Sequence, residues 1–101
     1  MDIVDAEDFL ALRSSLRVSN HALREAHKEG LRARDIFYAI FNGRIVEHYP
    51  DRKRILILGP IREFDLPLHV VCDYENTDEI VAITVYIPDR PDWVTEMSRG
   101  L

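Results

Sequence analysis

The chain has 101 residues, of which 47% are hydrophobic and 31% charged, a composition that indicates one soluble globular domain and excludes a disordered protein. Its single cysteine, Cys72, excludes an internal disulfide and a cysteine-rich zinc site. No apolar run approaches the roughly 20 residues that span a membrane, and the acidic start MDIVDAEDFL is not typical of a signal peptide. We therefore expect a cytoplasmic protein without a membrane partner.

The net charge of −5 is unevenly distributed along the chain. Residues 1–9 hold four acids and no base, residues 10–62 hold eleven Lys/Arg against five Asp/Glu, and residues 63–101 hold two bases against nine acids. A basic middle between acidic ends is compatible with a surface that binds a polyanion. It is equally compatible with attraction between the basic and acidic parts inside the fold.

Helical spacing dominates the first part of the chain. Apolar residues between positions 3 and 17 follow it and predict an acidic leader helix within residues 1–18. A second helix is predicted from the N-cap Ser19 to Gly30, since a serine hydroxyl accepts an orphan backbone N–H and glycine suits the left-handed C′ position. A third predicted helix runs from about Ala33 to Asn42.

From Arg44 onward the apolar pattern changes to a period of two, which indicates strands. The four predicted strands are RIVEHY, RILILG, LHVVCDY and EIVAITVYI, and they are separated by short turn-like segments. Short links favour antiparallel neighbours. The predicted fold is therefore α+β, with two or three N-terminal helices packed on one face of an antiparallel sheet of about four strands.

The second predicted helix carries a charged stripe opposite a small apolar one. At 100° per residue, His21, Arg24, Glu25 and Lys28 lie together on one side. This stripe is typical of an ordinary solvated face. Alternatively it is functional, because the positive end of a helix favours a neutral imidazole at His21, which can act as a base.

Alternation along the last two strands suggests a second group of polar side chains. One face of the fourth strand is predicted to hold Val81, Ile83, Val85 and Ile87. The other face is predicted to hold Thr84 and Tyr86, and to share its side of the sheet with His69. A histidine, a hydroxyl and a phenol suit acid–base chemistry on a phosphodiester, although they are also ordinary cross-strand residues.

Two further patterns bear on ligands. The basic turn DRKR contributes Arg52, Lys53 and Arg54, which form either a soluble turn or a phosphate clamp. The four histidines, at positions 21, 27, 48 and 69, have no metal-ligand spacing. We therefore predict no metal and no cofactor.

The order of several short motifs resembles domain-of-unknown-function family 4258. The motifs are NHALREAHKEGL, RDIFYAIFNGRIVEHYPDRKRILILG, PLHVVCDY and AITVYIPDRPDW. The resemblance covers residues 19–94 and leaves residues 1–18 as the leader and residues 95–101 as a tail of the same single domain. It implies a RelE-like fold, in the barnase–EndoU–colicin–RelE-like toxin superfamily, whose members are often metal-independent ribonucleases.

The resemblance implies a toxin-type ribonuclease and a set of site residues. The polar positions that match the family are His21, Arg24, Glu47, His69, Thr84 and Tyr86, and all of these except Glu47 are the expected catalytic residues. RNA would lie along Lys28, Arg52, Lys53 and Arg54. The alternative is a non-catalytic protein-interaction module of the same fold.

The expected partners are RNA and an antitoxin or other protein. A second copy of the chain is a further expected partner, because Phe37, Tyr38 and Phe41 make the third predicted helix unusually aromatic. If the site exists, we expect His21 and Arg24 to share one cleft with His69 and with Thr84 or Tyr86.

Overall fold

The computed structural model describes residues 10–88. The elements, in chain order, are β1 (Ser15–Val18), α1 (Asn20–Lys28), α2 (Ala33–Phe41), β2 (Arg44–Tyr49), β3 (Arg54–Ile61), β4 (Phe64–Asp73) and β5 (Glu79–Tyr86).

The strands form one five-stranded mixed sheet in the order β1-β5-β4-β3-β2. Strands β2 to β5 follow one another as antiparallel neighbours, whereas β1 pairs with β5 in parallel. The predicted fold class is wrong, because it had four strands, no parallel pair and a RelE-like arrangement of helices. Two nine-residue helices lie after the first strand, and strand is the predominant structure.

The parallel strand β1 replaces the end of the predicted leader helix. Ser15 pairs with Glu79 and Val18 with Ala82, and the Ser14 backbone N–H donates to the Asp78 carbonyl. Leu16 and Val18, the apolar residues of β1, therefore belong to a long-range pairing that local periodicity does not reveal. Residues 1–9 of the predicted leader and the tail, residues 95–101, lie outside the described residues.

Helix α1 begins and ends as its sequence predicts. The Ser19 hydroxyl accepts a hydrogen bond of 3.0 Å from the Ala22 backbone N–H, and Gly30 has a φ of 77° just after the helix. Ala22 and Ala26 are completely buried, and the helix packs on β5. Because alanine has only a methyl group, these two residues let the helix lie close to the sheet.

Helix α2 packs mainly on β3 at a point of very close approach. A Cβ added at Gly59 would collide with the Ala39 carbonyl oxygen and lie 2.7 Å from the Ala39 Cα. The glycine is therefore required by the distance between the helix and the strand, not by its backbone conformation.

Both helices lie on one face of the sheet, which we call the helix face. Its strand residues join the helices in one apolar core: Ile45, Ile55, Ile57, Leu68, Val70, Cys72, Ile80, Ala82 and Val85. The opposite face, which we call the distal face, carries the residues that alternate with them. Leu56 and His69 are fully buried on this distal face and do not belong to the core cluster.

Two register irregularities decide which residues reach the distal face. The first lies between Ile45 and Glu47, where Val46 has no partner residue on β3. The second lies between Ala82 and Thr84, which pair with Cys72 and Val71, so that Ile83 has no partner residue on β4. Each inserts one residue and reverses the alternation beyond it. The predicted grouping of Val81, Ile83 and Val85 on one face is therefore wrong, since Ala82 and Val85 both belong to the core.

Candidate functional site

The distal face brings polar residues from four strands together. The register places His69 opposite Tyr86 and Val71 opposite Thr84. Arg54 lies between Tyr49 and Asp73 in neighbouring strands. Cross-strand neighbours on one face have Cβ atoms about 5 Å apart, so these side chains form two polar groups on the distal face, with the apolar Leu56 and Val71 between them.

His69 and Tyr86 form the most deeply buried polar pair of this surface. His69 Nδ1 lies 3.0 Å from the Tyr86 hydroxyl oxygen, and the two rings meet edge to face with centroids 5.0 Å apart. The imidazole is fully buried, while Tyr86 is only partly buried. The histidine therefore fixes the phenol, and the phenol is the member of the pair that can meet a ligand.

Two more pairs hold side chains of the distal face. The Tyr49 hydroxyl donates to Glu47 Oε1 at 2.6 Å. Arg54 Nε lies 3.5 Å from Asp73 Oδ2, and the Arg54 side chain is 43% exposed. A pair this long and this exposed binds weakly, so the Arg54 guanidinium can turn to an incoming anion at little cost.

These pairs surround a hollow of about 210 Å³ on the distal face. Its lining consists of Tyr49, Arg52, Arg54, Val71, Ile83, Thr84 and Tyr86. The hollow thus combines two guanidinium groups, two phenols and a hydroxyl above an aliphatic floor. Such a set can bind an anionic ligand through the arginines and an aromatic or sugar moiety through the tyrosines.

The turn between β2 and β3 delivers two of the three predicted basic residues to the hollow. Lys53 adopts a left-handed conformation with a φ of 54°, and the turn is closed by the Arg52 backbone N–H donating to the Tyr49 carbonyl at 3.1 Å. Arg52 and Arg54 line the hollow on either side of Lys53, which is exposed and is not among the lining residues.

The charged stripe of α1 lies elsewhere. His21, Arg24 and Lys28 are exposed, and Glu25 lies 3.5 Å from His21 Nε2 and 3.7 Å from Lys28 Nζ. Helix α1 covers the helix face, whereas His69, Thr84 and Tyr86 lie on the distal face. The structure therefore does not create the predicted shared cleft, because the sheet separates the two groups. Catalytic roles for His21 and Arg24 stay predictions.

The aromatic residues of α2 are only partly available to a partner. Phe37 and Tyr38 are half-buried, and the Arg62 guanidinium lies over the Tyr38 ring at 5.8 Å. Phe41 is 51% exposed. The aromatic surface expected to mediate self-association is therefore reduced mainly to Phe41.

A second His–Tyr pair offers an internal comparison. His48 Nε2 lies 2.6 Å from the Tyr74 hydroxyl oxygen, but His48 is opposite Ile55, a residue of the helix-face core. This pair does not line the hollow.

Among residues 10–88, no three His, Cys, Asp or Glu side chains cluster in a way that could hold a metal ion.

Sequence reasoning missed Tyr49 as a site residue. The signal was present, because Tyr49 lies two residues after Glu47, on the same face of the predicted strand, and just before the basic turn. Thr84 and Tyr86 were predicted together with His69, and the structure does bring these three together.

Comparison with protein-family models matches residues 18–87 to the family described as "Domain of unknown function (DUF4258)". The match contains α1, α2 and strands β2 to β5, and it confirms the resemblance found in the motifs. It does not confirm the RelE-like superfamily. Neither the curated proteins nor the solved structures give a significant match. Within the described part of the chain, no helix has the length and apolarity needed to cross a membrane.

Proposed function

The chain belongs to the DUF4258 family, and from that premise and the geometry of the distal face we propose that it is a ribonuclease that cleaves RNA without a metal ion. The observation that carries the proposal is the hollow in which Arg52 and Arg54 lie beside a tyrosine anchored by a buried histidine. Positive charge and a proton-transfer pair in one hollow are the minimum that phosphodiester cleavage requires.

Each part of the hollow has a role in this reaction. Arg52 and Arg54 bind the scissile phosphate and neutralise the charge that builds up on its oxygens. The ribose 2′-hydroxyl attacks phosphorus and loses its proton, and the bond to the 5′-oxygen breaks as that oxygen gains a proton. Tyr86, hydrogen-bonded to His69, is placed to carry one of these protons. The products are a 2′,3′-cyclic phosphate and a 5′-hydroxyl.

The experiment uses a single-stranded RNA oligonucleotide in a buffer that contains a metal chelator. The wild-type protein should yield 2′,3′-cyclic phosphate ends, and Tyr86→Phe should reduce kcat by about 100-fold, the range of one proton-transfer group. Tyr74→Phe is the matched control, because it removes a hydroxyl bonded to a histidine outside the hollow. Absence of cleavage by the wild type at every salt concentration would contradict the proposal.

A second candidate, a protein-interaction role, rests on exposed aromatic side chains. Phe41 is 51% and Phe64 52% exposed, and exposed aromatic surface marks interfaces. The partner we propose is a second copy of the chain, bound through α2. Sedimentation at micromolar concentration should show dimers that Phe41→Ser dissociates, with the 72% exposed Leu12 changed to Ser as the control. Monomers alone would contradict this role.

A further inference from the structure

Two tyrosines line the hollow, and their hydroxyl groups have different hydrogen-bond partners. Tyr49 comes from β2 and Tyr86 from β5, three strand spacings or about 14 Å apart across the sheet, and the register offsets them by a further four residues, about 13 Å, along the strands. Both side chains line the same hollow. A group that fills the hollow therefore meets a phenol at each end of it.

The two phenols have different partners. Tyr49 donates its proton toward a carboxylate, Glu47 Oε1, at 2.6 Å. Tyr86 contacts the buried imidazole of His69, whose Nδ1 lies 3.0 Å from the phenol oxygen. A carboxylate that accepts the hydrogen bond of a phenol increases the basicity of the phenol oxygen, so Tyr49 is the phenol better suited to accept a proton.

We propose that Tyr49 is the catalytic residue that accepts the 2′-hydroxyl proton, and that Glu47 is its positioning residue and the final acceptor of its proton. This assignment rests on the proposed ribonuclease function. As the 2′-oxygen bonds to phosphorus, its proton passes to the Tyr49 oxygen and the Tyr49 proton passes to Glu47. On the other side, Tyr86 gives its proton to the departing 5′-oxygen and, being partly exposed, regains one from solvent, to which Glu47 releases the proton that it has taken up.

Cationic side chains are the nearest charged groups to Glu47 in the register of the sheet. Arg54 on β3 is opposite Tyr49 and therefore diagonal to Glu47, and Arg44 precedes Glu47 on its own strand. Arg52 belongs to the adjoining turn. Beyond β3, the titratable groups of β4 on this face are His69 and Asp73, the latter held by Arg54.

The test is the pH profile of RNA cleavage in Glu47→Gln. A glutamine oxygen still accepts the Tyr49 hydrogen bond but cannot take its proton, so structure and proton transfer are separated. We expect kcat to fall by about 100-fold, and we expect the rise of kcat/KM on the acidic side of the wild-type profile to disappear. Glu79→Gln is the control, since Glu79 pairs with Arg17 away from the hollow.

Tyr49→Phe provides a second variant that keeps the ring and breaks the same relay. It should lose kcat to a similar extent, and the double variant with Glu47→Gln should be no slower than either single one. A Glu47→Gln profile that keeps its acidic limb, or a Tyr49→Phe enzyme of wild-type rate, would overturn the assignment and leave the ribonuclease proposal standing. Inactivity of the wild type would overturn both.

Discussion

The two faces of the sheet differ in what the side chains of the same strands contact. On the helix face, the alternate β3 residues Ile55, Ile57 and Gly59 pack against buried apolar side chains or a helix backbone. On the distal face, the intervening positions lead to paired polar groups and a hollow. Because a strand side chain reaches only one face, substitutions on the two faces should separate stability from activity.

The largest expected effect concerns the helix face. Gly59→Ala would place a Cβ against the Ala39 backbone, which cannot move without displacing α2. We expect the free energy of unfolding to fall by about 3 kcal/mol or more, measured by urea denaturation. Gly30→Ala is the control, because it meets no atom within 4 Å and has only its φ of 77° to accommodate. A change in Gly59→Ala no larger than in Gly30→Ala would show that α2 does not depend on this close approach.

The next largest effect concerns the distal face. Arg54→Gln removes one of the two guanidinium groups of the hollow and should lower RNA cleavage by about 100-fold, the usual loss for one charge-stabilising donor. Its free energy of unfolding should change by no more than about 0.5 kcal/mol, since Arg54 Nε lies 3.5 Å from Asp73 Oδ2 and the Arg54 side chain is 43% exposed. Arg17→Gln removes a similarly exposed ion pair elsewhere and should leave cleavage unchanged. Equal rates for both variants would place the phosphate site outside the hollow.

Cys72 gives a chemical measure of how tightly the helix face is closed. Burial, with a smaller contribution from the neighbouring Asp73 carboxylate, raises the pKa of the Cys72 thiol from 9.0 to about 12. The folded state therefore holds this proton more tightly than the unfolded state. That contribution to stability is complete below pH 9.0 and decreases as the pH rises from there toward about 12.

At pH 8 a thiol reagent should modify Cys72 in the folded protein at least about 100-fold more slowly than in urea, because reaction requires opening of the core. The reaction can be followed by absorbance of the released thiolate. Equally fast reaction in both states would mean that the helix face opens freely.

The smallest expected effect is on α1. If RNA binds the distal face, Arg24→Ala should change neither the rate of cleavage nor, beyond about 0.5 kcal/mol, the free energy of unfolding. The side chain is exposed on a helix that covers the opposite side of the sheet. Assays of cleavage and thermal unfolding on the same preparation test both parts. Loss of cleavage with an unchanged melting temperature would show that Arg24 on α1 belongs to the catalytic site.

Local features were predictable because their causes lie within a few residues. Ser19 caps α1 through its own first turn, Gly30 supplies the positive φ that ends it, and the change of period at Arg44 marks the start of β2. The grouping of His69 with Thr84 and Tyr86 also followed from alternation, since the irregularity at Ile83 precedes Thr84 and leaves the spacing of these residues intact.

What the tertiary structure decided involves contacts between distant parts of the chain. The segment containing Leu16 has helical spacing, yet it is a strand because β5 offers it a parallel edge more than 60 residues away. The inserted residues at Val46 and Ile83 change the face on which their neighbours lie, and no local pattern marks them. The charged stripe of α1 followed from the sequence, but its separation from His69 did not. That separation depends on which face of the sheet receives Ala22 and Ala26, and only packing of the whole core fixes that choice.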